Sequence, residues 1–147
     1  MKIKALISSI IICFIPAIIH SFAVSSSSYT SWPGWIFGPF WSLLYLIQGI
    51  SLYFIRITSS EPVTKLIALL FFYFQLVLNL LWSVFFFTLS SPKLALAEIG
   101  LLIITLIFCI ISTYRVNKPA GTLLLPYLGF TIFAAYFNYS LIRINNS

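Results

Sequence analysis

The 147-residue chain is 61% hydrophobic and only 7% charged, with a formal net charge of +6. Soluble domains carry about 25% charged residues, so a single water-dissolved core is excluded and an integral membrane protein is implied. Two carboxylates, Glu61 and Glu98, and one histidine, His20, leave no acid–base dyad, metal cluster or triad; no cofactor is called for. The eight cations are scattered between apolar segments without a stripe, which speaks against nucleic acid as a partner, and Cys13 and Cys109 fall within apolar runs as small buried hydrophobes.

A spanning helix needs about 20 apolar residues to cross about 30 Å of hydrocarbon. Five segments meet this, at about 5–24, 37–57, 66–89, 94–114 and 123–144, and predict an all-α fold: one integral membrane bundle of five transmembrane helices occupying residues 1–147. In the first, Lys2 and Lys4 precede the apolar stretch and Ser21-Phe22-Ala23 follows it; this is compatible with a cleaved signal peptide, but the stretch exceeds a usual signal core and reads as a retained helix. Ser25–Ser28 and Trp32-Pro33-Gly34 form a loop before the second. Ser59-Ser60-Glu61-Pro62 separates the second from the third, Ser90-Ser91-Pro92 opens the fourth, and Asn117-Lys118-Pro119-Ala120-Gly121 precedes the fifth. Such short connections predict that consecutive helices are mostly antiparallel neighbours. Six of the eight Lys and Arg fall at the N-terminus and in the second and fourth loops (Lys2, Lys4, Arg56, Lys65, Arg115, Lys118), against Lys93 and Arg143 on the other side, which places the N-terminus in the cytoplasm.

Polar side chains at mid-helix depth are costly in lipid and face the bundle interior. The second helix carries Trp41, Tyr45 and Gln48 at i, i+4 and i+7. The third carries Gln75, Asn79, Trp82 and Phe86 at i, i+4, i+7 and i+11, and the fifth carries Tyr127, Phe130, Ala134 and Asn138. Each amide alone is accounted for as interhelical glue. Three coincident stripes of amides beside flat rings predict a cavity for a planar, mostly apolar ligand with polar edges. Trp32 and Trp35, in or beside the first loop, read either as interfacial anchors or as a lid over that cavity. His20 reads as an interfacial polar group, and Glu98 as a group stabilising its helix N-terminus or pairing with Lys93.

These residues carry a resemblance. Trp35-Ile36-Phe37-Gly38-Pro39-Phe40-Trp41, with Leu44-Tyr45 and Gly49, resembles the W-x-x-G-P-V-W-x-x-L-Y-x-x-x-G signature of the TspO/MBR family, which holds the bacterial tryptophan-rich sensory proteins and the mitochondrial translocator protein. The run from Tyr73 to Phe87, with Gln75, Asn79, Trp82 and Phe86, is similar to the family's third-helix motif. The run from Leu124 to Asn138 is similar to its P-Y-L-x-W-x-x-F-A-x-x-L-N motif. The resemblance implies a five-helix bundle, commonly a homodimer, with a cavity closed by the first loop. It implies binding of porphyrins such as protoporphyrin IX and haem, in tetrapyrrole sensing or transport. Carried over position by position, the ligand-binding residues are Trp41, Asn79, Trp82, Phe86, Phe130, Ala134 and Asn138. The stripes add Tyr45, Gln75 and Tyr127 as supporting pocket residues, and Trp32 and Trp35 are the lid candidates in the loop that the resemblance makes the closure.

This chain departs from the family pattern in three places. Phe130 stands where the family has tryptophan, which keeps a stacking face but loses an oxidisable indole; light-dependent porphyrin degradation, in which Trp41 would be the photoactive group, is thereby weakened. The first loop has Trp32-Pro33 where P-P is usual. The sterol consensus around Tyr139 and Arg143 lacks its Leu or Val, so sterol is not carried over as a ligand and membrane lipid remains the surrounding partner. The leading expectation is a binding protein, with a porphyrin-degrading enzyme or a small-solute transporter subunit as alternatives. Gly34-x-x-x-Gly38 has dimer-motif spacing but ends at Pro39, at a helix entrance, so the dimer interface is not legible.

Overall fold

The computed structural model describes residues 2–25 and 34–145, with side chains from 2 to 22 and from 39 to 144. Trp32 lies outside the described residues, and of Trp35 only the backbone lies within them, so the expected lid is not part of the description. The helices are α1 (Lys2–Ser25), α2 (Gly34–Ile57), α3 (Pro62–Ser83), α4 (Pro92–Val116), α5 (Lys118–Leu123) and α6 (Leu125–Asn145). Among the described residues five segments are long and apolar enough to cross a membrane, the number expected, the fifth formed by α5 and α6 together.

The helix boundaries follow from local chemistry. α3 and α4 begin at Pro62 and Pro92, where a missing N–H costs nothing. Glu61 caps α3: the Val63 and Thr64 N–H groups donate to its carboxylate at 3.2 and 2.7 Å, and the Thr64 hydroxyl donates at 2.6 Å. The Lys65 ammonium reaches back to the Arg56 and Thr58 carbonyls at the end of α2 (2.8 and 3.0 Å), satisfying acceptors that the helix leaves open. Past Ser83, α3 widens into a π-helical turn, Val84–Thr88, closed by Leu89 N–H donating to the Val84 carbonyl at 2.9 Å. Ser90, at φ 47°, then turns the chain into α4. The fifth span starts earlier than expected because Asn117 caps α5, its carboxamide oxygen accepting from Ala120 N–H at 3.0 Å.

Lipid provides no hydrophobic drive between helices, so close approach and interhelical hydrogen bonds hold the bundle. α1 packs along α2 and α3 along α4, with α6 also on α4, α5 on α2, and α1 on α3. The ring order is therefore α1, α2, α5/α6, α4, α3. This corrects the expectation of consecutive neighbours at one place: α2 and α3 meet only thinly, through long side chains crossing the interior. Gly49 permits the α1–α2 approach, since a Cβ there would lie 2.8 Å from the Ile10 Cα. Arg56 adds a polar tie, donating to Ser8 and Ser9 of α1 at 2.8 and 3.0 Å. The outward surface is apolar: Ile3, Ile7, Ile11 and Ile15, four residues apart on α1, are all exposed, as the lipid-facing side of a spanning helix requires.

Candidate ligand-binding site

The three predicted stripes converge on the interior and sort by depth. Lowest, toward the C-terminal end of α2, Gln75 Nε2 donates to Gln48 Oε1 at 3.0 Å; both amides are buried, and each retains one atom without a partner. One turn higher, the Tyr45 hydroxyl donates to Asn79 Oδ1 at 2.6 Å, and Asn79 Nδ2 donates to the Tyr127 hydroxyl. This triad ties α2, α3 and α6 together with both ends of the Asn79 amide committed. These two levels form a polar floor.

Above the floor lies an aromatic cluster. Trp41 meets Phe130 edge to face at 4.8 Å between centroids, Trp82 stacks on Phe86 at 5.3 Å, and Phe40 closes on Phe130 at 4.9 Å. Between the rings is a small pocket lined by Trp41, Asn79, Trp82, Phe130 and Ala134, joined by Ile99, Leu102 and Thr131. Its volume is about 10 Å³, room for roughly one water molecule. The rings close against one another and do not hold an open chamber.

Two other predicted site residues lie beside the pocket and not on its lining. Phe86 backs Trp82 from within the π-helical turn. Asn138, its amide oriented to match donor with acceptor, donates to the Pro92 carbonyl at 3.1 Å and accepts from Leu96 N–H at 3.0 Å, pinning α6 to the first turn of α4.

Two expectations are corrected. His20 is buried, not interfacial, because α1 continues past it to Ser25. Its Nδ1 lies 2.7 Å from Ser83 Oγ, and its ring sits among Trp41, Trp82 and Phe87 at 5.0, 6.4 and 5.2 Å. Glu98 does not pair with Lys93: it is buried with Ile99 on the inward face of α4, and neither of its oxygens has a hydrogen-bond partner. The spacing that marked the other stripes also marks His20. Ser9, Cys13, Pro16 and His20 follow i, i+4, i+7 and i+11, and all are buried. α4 contributes Ile99 and Leu102, whose apolar side chains give no signal in an apolar sequence.

The upper level holds several buried polar atoms without partners: the indole nitrogens of Trp41 and Trp82, His20 Nε2 and both Glu98 oxygens. Each such group costs about 1–3 kcal/mol when unsatisfied, and native interiors hold few of them. The two indole nitrogens belong to residues that line the aromatic pocket, and the His20 imidazole packs on both of their rings. Cys13 and Cys109, by contrast, are fully buried free thiols, in keeping with a packing role. Among the described residues no group of His, Cys, Asp and Glu is arranged to hold a metal ion by itself.

Fold and site together define a small multi-pass membrane protein whose helices enclose an aromatic-walled pocket toward one end of the bundle. Residues 7–144 match the TspO/MBR family, and the chain belongs to it. It is 37% identical to the tryptophan-rich protein TspO of Chlorobaculum tepidum over 117 residues, covering 78% of this chain and 74% of that one. It is 41% identical to the protein of the same name from Archaeoglobus fulgidus over 113 residues (77% and 72%), and 31% identical to the translocator protein of Sus scrofa over 118 residues (78% and 70%).

Proposed function

We propose that the protein is a membrane receptor or carrier that binds a tetrapyrrole of the porphyrin type between α2, α3, α4 and α6, with its N-terminus on the cytoplasmic side. The observation that carries this reading is the coincidence of aromatic faces with partnerless polar atoms at one level of the bundle. Neither indole is held by a hydrogen bond, so parting the rings breaks no polar contact of theirs. Ligand pockets measure about 300–1,000 Å³, so the 10 Å³ space must widen as the ligand enters. Ring–ring contacts worth about 0.5–1.5 kcal/mol each are lost in that opening and replaced by stacking on the macrocycle. The Asn79 amide is committed to Tyr45 and Tyr127, so the Trp41 and Trp82 N–H groups are the available donors for polar edges. The orientation rests on the six-to-two distribution of Lys and Arg between the two sides.

Tryptophan-fluorescence quenching by protoporphyrin IX, titrated in the dark on protein purified in detergent, tests the reading. Saturable quenching that weakens in Trp82→Ala supports it; quenching that never saturates, or that Trp82→Ala leaves unchanged, refutes it. Repeating the titration under illumination separates binding from degradation, since a degrading enzyme bleaches the porphyrin's absorbance faster than light does without protein, and loses that excess in Trp41→Phe.

A further inference from the structure

We infer that His20 supplies an axial nitrogen ligand to the metal of a metallated tetrapyrrole, so that the site selects an iron-bearing macrocycle over the metal-free ring; the inference rests on the tetrapyrrole reading above. It begins with the proton on the imidazole. Ser83 Oγ lies 2.7 Å from His20 Nδ1 and 3.4 Å from the Asn79 carbonyl. A carbonyl oxygen only accepts, so Ser83 has two arrangements, its hydroxyl proton on Nδ1 or directed to Asn79, and the second is the one that frees Nε2 for a metal. The Ser83 lone pair then accepts from Nδ1–H. That tautomer leaves Nε2 as a bare lone pair, buried and without a partner. Fixing one ring nitrogen as donor so that the other is free to bind a metal is how ligating histidines are commonly oriented.

The surroundings narrow the ligand. A bare imidazole nitrogen takes either a hydrogen-bond donor or a metal centre. The indole N–H groups of Trp41 and Trp82 belong to rings packed on the imidazole and remain unbonded, so the cluster is not arranged to satisfy Nε2 from within. With no group of His, Cys, Asp and Glu among the described residues to complete a coordination shell, a free metal ion is a poor occupant. A macrocycle that brings its own four nitrogens needs only one or two further donors, perpendicular to its plane, and imidazole is a common one. The step is a coordinate bond: the Nε2 lone pair enters an axial position on the iron, any weakly held axial ligand such as water leaves, and neither proton nor electron is transferred. Ser83 acts as a positioning residue through the tautomer.

The test compares ferric haem with protoporphyrin IX on detergent-purified protein, by absorption spectroscopy and dark tryptophan quenching, in wild type, His20→Gln and His20→Ala. His20→Gln keeps most of the buried volume, and thermal melts establish that each variant is folded. The expected result is a histidine-ligated haem spectrum in wild type only. Haem affinity falls at least about tenfold in both variants, protoporphyrin IX affinity stays within about twofold, and added imidazole restores the spectrum of His20→Ala. A wild-type haem spectrum that both substitutions leave unchanged overturns His20 as ligand while the tetrapyrrole site stands. Equal loss of both ligands in folded variants also overturns it, making His20 a wall of the pocket. Failure of both tetrapyrroles to bind wild type removes the tetrapyrrole reading, and this inference with it.

Discussion

Replacing Asn79 with leucine tests whether the amide belongs to the framework of the bundle. The side chain is buried and makes two hydrogen bonds, accepting from Tyr45 and donating to Tyr127. Hydrogen bonds between membrane helices contribute about 0.6 kcal/mol on average and up to about 1.7 kcal/mol. Asn79→Leu removes both and strands two buried hydroxyls, each costing about 1–3 kcal/mol. The expected loss is about 3–5 kcal/mol, read by SDS titration or thermal melting in detergent. Tyr45→Phe and Tyr127→Phe each remove one bond and strand one side of the amide, for about 1–2 kcal/mol. The combined Tyr45→Phe, Asn79→Leu, Tyr127→Phe variant has no polar atom left to strand and should regain about 2 kcal/mol or more over Asn79→Leu alone. The reasoning is refuted if Asn79→Leu melts with wild type, or if the triple variant is no more stable than Asn79→Leu. The same series bears on ligand binding: a loss of porphyrin affinity in Asn79→Leu that the triple variant reverses reflects the floor and not a direct contact.

Glycine substitutions should divide by environment. A Cβ at Gly49 or Gly121 would meet backbone, the Ile10 Cα at 2.8 Å and the Tyr114 Cα at 2.7 Å, so alanine at either costs about 1–2 kcal/mol in detergent melts after its better helix propensity is allowed for. At Gly100 and Gly129 nothing lies within 4 Å, and alanine should be neutral or stabilising by up to about 1 kcal/mol. The Glu61 cap should show in acid. The Thr64 hydroxyl, then the Thr64 and Val63 N–H groups, hold its carboxylate below the ordinary value of 4.5. A lowered folded-state pKa means that the stabilisation is complete above the unfolded value and is lost as pH falls through the folded one. The melting-temperature gap between wild type and Glu61→Ala should therefore be constant above about pH 5 and close below 4.5; a gap that persists unchanged at lower pH refutes the cap.

The spans were legible in the sequence because lipid enforces long apolar runs, and Pro62, Pro92 and Asn117 mark where they begin. Inward faces were legible too, since Gln75, Asn79 and Trp82 have no tolerable position toward lipid. Ring order was not: loop length says that α2 and α3 are joined, but not that they face each other across the interior. His20 was misplaced because its depth was judged from the end of an apolar run, while α1 extends beyond it. Glu98 was misplaced because pairing with Lys93 is the cheap solution for a carboxylate at a helix start, and α4 instead turns it inward. How far the rings close was beyond sequence, since Phe130 and Trp41 read as walls whether they stand apart or touch.

The ring order has a mechanical consequence. α1 and α2 form one leaf, α3 with α4, α5 and α6 the other, and the most extensive helix-to-helix packing lies within each leaf. The boundary between leaves is crossed by hydrogen bonds: His20 to Ser83, Tyr45 to Asn79, Gln48 to Gln75, Ser51 to the Ala120 carbonyl, and Asn117 to Thr58. Such a boundary behaves like a row of snap fasteners. It holds while dry, because nothing in hydrocarbon competes for those donors, and it weakens where water supplies a substitute. The aromatic pocket straddles this boundary, with Trp41 on one leaf and Trp82, Ile99 and Phe130 on the other, so any change in the spacing of the leaves changes the width of the pocket.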